Sequence, residues 1–371
     1  FINTGLIIKA EHAGQLIGVI AHECGHISGG HIVKSYGAIK DAKNISLVST
    51  ILGAVTLLAR PDVGGAILAS GDNMANNSFM AFSRAIESSA DLTALKFLDN
   101  IKISSRGFLE LIKMMNEQEL FASKRQDPYT KTHPPTSTRI NDILHHVEAS
   151  PWSDVPLPQI YNEVHQRIKA KLIAFIESDV TTFRYYKKDD PSLVARYAHV
   201  ISYYRKQNLN LAISLIDELI VERPNDPYFH ELKGQMLFEN GRNADAIQEY
   251  KLAVKYLPYN TILREELAQV ELESEDQSNL LDAEENLIFA TRYSPERINN
   301  WRSLAAVYGR MGNETMVAAS LAEQNLLVGK WKEALHNASK AMKNLKKGTP
   351  TETRMHDIVI RAEQIRDRVK K

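Results

Sequence analysis

From residue 191 onward the chain repeats itself, and this repetition limits the fold more than any other feature. Tyr203, Ala212, Ile216, Leu219 and Pro224 recur thirty-four residues later as Leu237, Ala246, Tyr250, Ala253 and Pro258. After three extra residues they return as Ala283, Leu287, Ala290 and Pro295. A unit of this length holds two helices and a turn. One such unit cannot bury its apolar face alone, so neighbours must stack into an α-solenoid. The three extra residues fall near 274–278 and predict a longer turn between two helices.

Trp301, Leu304, Ala305 and Tyr308 open a further unit in the W-x-x-L-G-x-x-Y pattern, with Ala in the Gly place. Period thirty-four with small residues at the helix contacts is the tetratricopeptide signature. Residues 330–371 are helical in pattern and lean basic, as final helices and a cap would, not as a nucleic-acid tail.

The 371 residues leave room for another domain before the repeats. Prolines 151, 156 and 158 mark a linker. The expected division is 1–150, a linker and connecting helix over 151–180, and the repeats over 181–371. Lys and Arg total 45 against 45 Asp and Glu, so overall charge points neither to nucleic acid nor to an anionic membrane. Cys24 is the single cysteine, which excludes an intrachain disulfide. It is expected as a small core residue and not a ligand. Residues 1–8 read as an apolar strand already under way, with no signal peptide before it, as in a fragment of a larger domain.

The chemistry concentrates at His22-Glu23-Cys24-Gly25-His26, an H-E-x-x-H motif on an apolar run that predicts a helix over 11–28. Residues four apart share a helix face, so His22 and His26 can aim two imidazoles at one ion. Glu23 is rotated about 100° from His22, beside the ion, where a carboxylate can take a proton from water. His31 is nine residues from His22, about 180° round a continuous helix, and is expected to face away. The metzincin pattern needs its third histidine at the position held here by Ile32.

A second stretch, Phe82-Ser83-Arg84-Ala85-Ile86-Glu87-Ser88-Ser89-Ala90-Asp91, leads into a helical pattern with Leu92, Leu95 and Leu98. Glu87 and Asp91 share one face, so one carboxylate can ligate while the other supports a ligand. Residues 44–59 are uncharged and mostly apolar, and small residues follow over 64–71. At about sixteen residues the run is short of the roughly twenty that span a bilayer. A helical hairpin or flap near the site is expected, with peripheral membrane contact over 44–71 as the other reading. Residues 107–121 show a helical apolar face whose methionines are core filler, and 159–176 read as a connecting helix.

Together, H-E-x-x-H and F-S-R-x-x-E-x-x-A-D resemble the gluzincin metallopeptidases of the CAAX-prenyl-protease and HtpX type. Thr132-His133-Pro134-Pro135 with Arg139-Ile140 is similar to that family's T-H-P-x-x-x-x-R segment. The resemblance covers roughly residues 1–150. It implies that His22, His26 and Glu87 bind one zinc per chain, that Glu23 is the general base, and that Asp91 hydrogen-bonds a ligating histidine. In soluble members with repeats, a histidine at the place of His133 can cap the metal as a fourth ligand and make the enzyme latent. An oxyanion-stabilising role or a plain loop role are the alternatives for His133. Arg139 is left between holding the loop and holding a substrate carboxylate.

The expected protein is therefore mostly α, with at most a small β element: a helical zinc metallopeptidase domain followed by an α-solenoid. The resemblance implies a periplasmic endopeptidase in quality control of envelope or outer-membrane proteins. Its repeat groove would hold protein substrates or a protein partner. The rival expectation is a repeat-based chaperone or adaptor with a latent or structural metal site.

Overall fold

The computed structural model describes residues 2–31, 33–35, 37–38, 40–41, 43–44, 61–121, 133–134 and 136–369. Every regular element among them is a helix. They form two compact units, 1–178 and 179–371. No helix among the described residues is long and apolar enough to cross a membrane.

In the first unit the helices are α1 (Thr4–Lys9), α2 (Ala13–Ser28), α3 (Pro61–Asn100), α4 (Arg106–Phe121), α5 (Ser137–Ala149) and α6 (Gln159–Ile176). The start expected as a strand is helix α1, capped by Asn3, whose Oδ1 accepts from the Gly5 amide at 2.9 Å. A short apolar run does not distinguish strand from helix by period alone, and the cap decides it here. Helix α2 packs against α3, α4 and α6. Leu6, Val19, Leu95, Phe108, Leu111, Ile112, Met115, Ile143 and Val147 form the core. On α3, Ala90, Ala94, Leu95 and Leu98 are buried, whereas Leu92 points outward. Cys24, expected in the core, is exposed on the outer side of α2. It lies about 200° round the helix from His22, away from the packed face.

Residues 151–178 join this unit; they do not stand apart as a linker. Asn162 Oδ1 accepts from the Ala13 amide, Lys169 Nζ donates to Ala10 O at 2.9 Å, and Gln166 donates to Glu11 O at 3.0 Å. One polar stripe of α6 thus satisfies backbone groups left open where α1 ends and α2 begins, which fixes the entry of the motif helix. The stretch 44–71, expected as a hairpin, flap or membrane contact, lies largely outside the described residues: 45–60 are not among them, nor are the side chains of 61–76.

The second unit runs α7 (Asp179–Tyr185), α8 (Leu193–Arg205), α9 (Leu209–Glu222), α10 (Pro227–Glu239), α11 (Asn243–Tyr256), α12 (Thr261–Glu273), α13 (Asn279–Tyr293), α14 (Ile298–Arg310), α15 (Glu314–Leu327), α16 (Trp331–Met342) and α17 (Pro350–Val369). Consecutive helices pack in pairs, and the recurring small residues Ala212, Ala246 and Ala283 are fully buried at the contacts. The extra residues lie between α12 and α13, as the repeat spacing predicts. The recurring prolines do more than end helices: their carbonyls accept from the side chain six residues on. His230 donates to Pro224 O, Arg264 to Pro258 O and Trp301 to Pro295 O.

Candidate metal centre

Helices α2 and α3 meet closely because Gly25 lacks a side chain. A Cβ there would lie 2.5 Å from the Ala90 carbonyl oxygen. The close approach sets His22 and His26 of α2 opposite Glu87 and Asp91 of α3. His133 comes from the segment before α5 and completes a group with His22, His26 and Glu87, whose ligand atoms all lie within 4.8 Å of one another.

The separations test whether a metal fits. His22 Nε2 is 3.0 Å from His26 Nε2 and 3.3 Å from His133 Nδ1. Glu87 lies 3.4 Å from His22 Nε2, 3.3 Å from His26 Nε2 and 3.1 Å from His133 Nδ1. Four donors around zinc at about 2.0–2.1 Å would stand about 3.3 Å apart along the edges of a tetrahedron. His22 Nδ1 faces Asp91 Oδ1 at 2.7 Å, so its proton sits there and Nε2 presents a lone pair. A lone pair at that distance from a second imidazole nitrogen calls for a cation or proton between them. The donor set fits zinc, a metal held by nitrogen and carboxylate ligands.

The electrostatics agree. Burial works to raise the Glu87 pKa, but the imidazoles of His133, His22 and His26 against it and the charge of Arg139 hold it well below the usual carboxylate range. Burial works to lower the His22 pKa, and hydrogen bonds to Asp91 and Glu87 outweigh it, leaving the pKa raised. One shift favours the anion at Glu87 and the other a cation at His22, so the pocket holds opposite charges side by side.

Arg139 is the largest fully buried side chain among the described residues. It sits on the same face of α5 as Ile143 and Val147, and the cap of that helix, Thr136, accepts from its backbone amide. The guanidinium grips Asp91 at both oxygens, at 2.7 and 2.9 Å, and donates to Pro134 O at 3.0 Å. It also lies 3.0 Å from Glu87 Oε2. Arg139 thus ties the His133 segment to the carboxylates of α3. Asp91 in turn orients His22, the arrangement that fixes a metal-bound imidazole.

Glu23 reaches the edge of the cluster. Its Oε1 is buried and makes no hydrogen bond among the described residues, and His133 Nε2 is 3.6 Å away. Every site residue read from the sequence therefore gathers in one place. Thr132 and Pro135 of the T-H-P motif lie outside the described residues. His31 departs from expectation. It is buried against His26, with the two Nδ1 atoms 3.0 Å apart. The helix that would have carried it away ends at Gly29, and the Gly29–Gly30 pair was the available signal.

Residues 1–147 match the profile described as peptidase family M48, and residues 197–261 match a tetratricopeptide-repeat profile. The chain is 20% identical over 378 residues to the beta-barrel assembly-enhancing protease of Yersinia pestis, covering 100% of this chain and 76% of that one. It is 23% identical over 361 residues to a putative beta-barrel assembly-enhancing protease of Vibrio cholerae, covering 95% and 73%. Identity to the Escherichia coli protein of the same name is 19% over 379 residues, covering 100% and 75%.

Proposed function

Starting from a chain that carries a peptidase family M48 domain followed by tetratricopeptide repeats, we propose that it is a zinc-dependent endopeptidase acting on proteins of the bacterial envelope. The carrying observation is the donor set: His22 and Glu87 each stand 3.0–3.4 Å from the other donors, and all four lie within 4.8 Å of one another, close to the spacing of ligands round one small cation. Bound there, zinc would supply a Lewis acid for a peptide carbonyl and lower the pKa of water toward about 7.

The chain's own residues carry the remaining steps. Asp91 keeps the His22 proton on Nδ1, and Arg139 holds Asp91 in place through two hydrogen bonds. Glu23 holds a carboxylate oxygen that makes no other hydrogen bond among the described residues, ready to accept the proton of the attacking water. The same carboxylate returns that proton to the leaving amine as the peptide bond breaks. The relatives' shared name supports substrates among beta-barrel proteins under assembly; the compartment that goes with this reading is the periplasm. The repeats would offer a groove for a protein partner or for the substrate itself.

One observation favours a resting state that is shut. A catalytic zinc site keeps one position open, whereas His133 joins the other three donors and also faces Glu23. The purified protein would then behave much like a repeat-based adaptor until His133 swings out. His133→Ala is expected to raise basal cleavage, self-cleavage included. A fall of roughly a hundredfold with zinc retained would instead make His133 a donor to the transition state.

Metal analysis and casein digestion test the central reading. The wild type should hold one zinc per chain, and His22→Ala should lose it. Glu23→Gln should keep zinc and fold while losing about 10²–10⁴ in rate, because the amide cannot accept the proton. Wild-type cleavage by Glu23→Gln, or full metal in His22→Ala, would sink it.

A further inference from the structure

His22 and His26 come from the same helix turn, yet the atoms behind them differ. Behind His22 stands the Asp91 carboxylate, 2.7 Å from Nδ1. Behind His26 stands another imidazole, with His31 Nδ1 3.0 Å from His26 Nδ1 and the rings edge to face at 85°. Two imidazole nitrogens at this distance share one proton. A histidine that ligates through Nε2 carries its proton on Nδ1, so His26 is the donor. His31 must then be the acceptor: neutral, with its own proton on Nε2.

The backbone is built to bring His31 there. Helix α2 stops at Ser28, and Gly30 takes φ +61°, a left-handed conformation that turns the chain back. At Gly29 the requirement is space, because a Cβ would fall 2.1 Å from His31 Nε2. Two adjacent glycines, each for its own reason, let His31 return to the metal face. His31 itself is only 4% exposed and stands outside the four-residue donor set.

We propose that His31 is a positioning residue for His26: its Nδ1 accepts the His26 Nδ1–H, fixing the tautomer and ring plane that aim Nε2 at the metal. The inference rests on the zinc-site reading above. It gives the two ligands unequal support, one from an anion and one from a neutral ring. Partners of this kind are typically worth 10–100-fold in metal affinity.

The test is zinc affinity of the full chain by chelator competition, with the absorption spectrum of the cobalt-substituted protein as a second readout. His31→Leu keeps most of the ring's volume and removes the acceptor. His31→Asn is smaller but returns an acceptor, Oδ1, near the place of Nδ1. The inference expects His31→Leu to bind zinc about 10–100-fold more weakly with an altered cobalt band, and His31→Asn to recover most of both. Gly29→Ala, which drives a methyl into the His31 ring, should resemble His31→Leu. If packing alone mattered the order would reverse, with Leu the better replacement, and that order would overturn the proposal. So would wild-type zinc affinity in His31→Leu beside a metal-free His22→Ala. Equal zinc binding by wild type and His22→Ala would overturn the metal site itself, and this inference with it.

Discussion

Asp91 of the first unit and Glu271 of the second are both helix-borne carboxylates, 1% and 0% exposed, and their surroundings are opposite. Asp91 accepts two hydrogen bonds from Arg139 and faces His22 at 2.7 Å. Glu271 accepts one neutral hydrogen bond, from Asn286 Nδ2 at 3.1 Å, and its Oε1 makes none among the described residues. Burial pushes the Glu271 pKa up to about 7, only partly opposed by Asn286. Burial pushes a carboxylate toward its neutral form where its one hydrogen bond is neutral and its nearby cation, Lys251, acts only through space. The first unit sets a buried arginine and His22 against Asp91, and the same arginine with three histidines against Glu87. The second unit has a buried carboxylate gripped by an arginine as well, Glu323 by Arg354, but no such set gathers around Glu271.

The largest expected effect comes from stripping the cation from the first of these environments. Arg139→Met leaves Asp91 and Glu87 buried without their shared partner, and breaking a buried pair from one side costs about 3–5 kcal/mol. Denaturant unfolding followed by hydrogen exchange should show that loss in α2, α3 and α5 and not in the repeats. Adding Asp91→Asn should return part of it, because the stranded charge is then gone. A single variant as stable as the wild type would mean that Arg139 does not offset the burial of these two carboxylates, and the contrast would fail.

The same contrast explains what the sequence made legible. Period is a local signal, so it revealed the repeats, their three-residue insertion and the shared faces of His22 with His26 and Glu87 with Asp91. Long-range partners carry no period. The grip of Arg139 on Asp91 spans 48 residues, and only the spacing of Arg139, Ile143 and Val147 hints that the arginine points inward. His31 was misplaced because an angle computed for a continuous helix was carried across Gly29 and Gly30, where the helix ends. Cys24 does turn away from the His face, as its place in the motif implies, but that side of the helix is exposed and not core. In the repeats, the residues that bond the proline carbonyls are His230, Arg264 and Trp301. Three donors with nothing in common but an N–H are invisible to a pattern of residue types.

The smallest predicted effect is the most direct reading of the second environment. The folded pKa of Glu271 lies near 7 against an ordinary 4.5, so between those values the folded state binds more protons than the unfolded one. By linkage, stability contributed at this site is greatest below about pH 4.5 and falls as pH rises through about 7, by at most about 3 kcal/mol. His230 adds a fall of the same sign above pH 6.5, because burial lowers its pKa less than its hydrogen bonds to Glu249 and Pro224 raise it. The wild-type slope therefore does not isolate Glu271, but a variant does. Glu271→Gln copies the protonated acid at every pH and keeps an oxygen for Asn286. Hydrogen exchange in α12 and α13 should find it close to wild type at pH 5 and more stable at pH 8, with the part of the slope between pH 5 and 7 flattened. An equal slope in both proteins would show that Glu271 is ionised at its site, and a single neutral hydrogen bond would then be no obstacle to a buried charge.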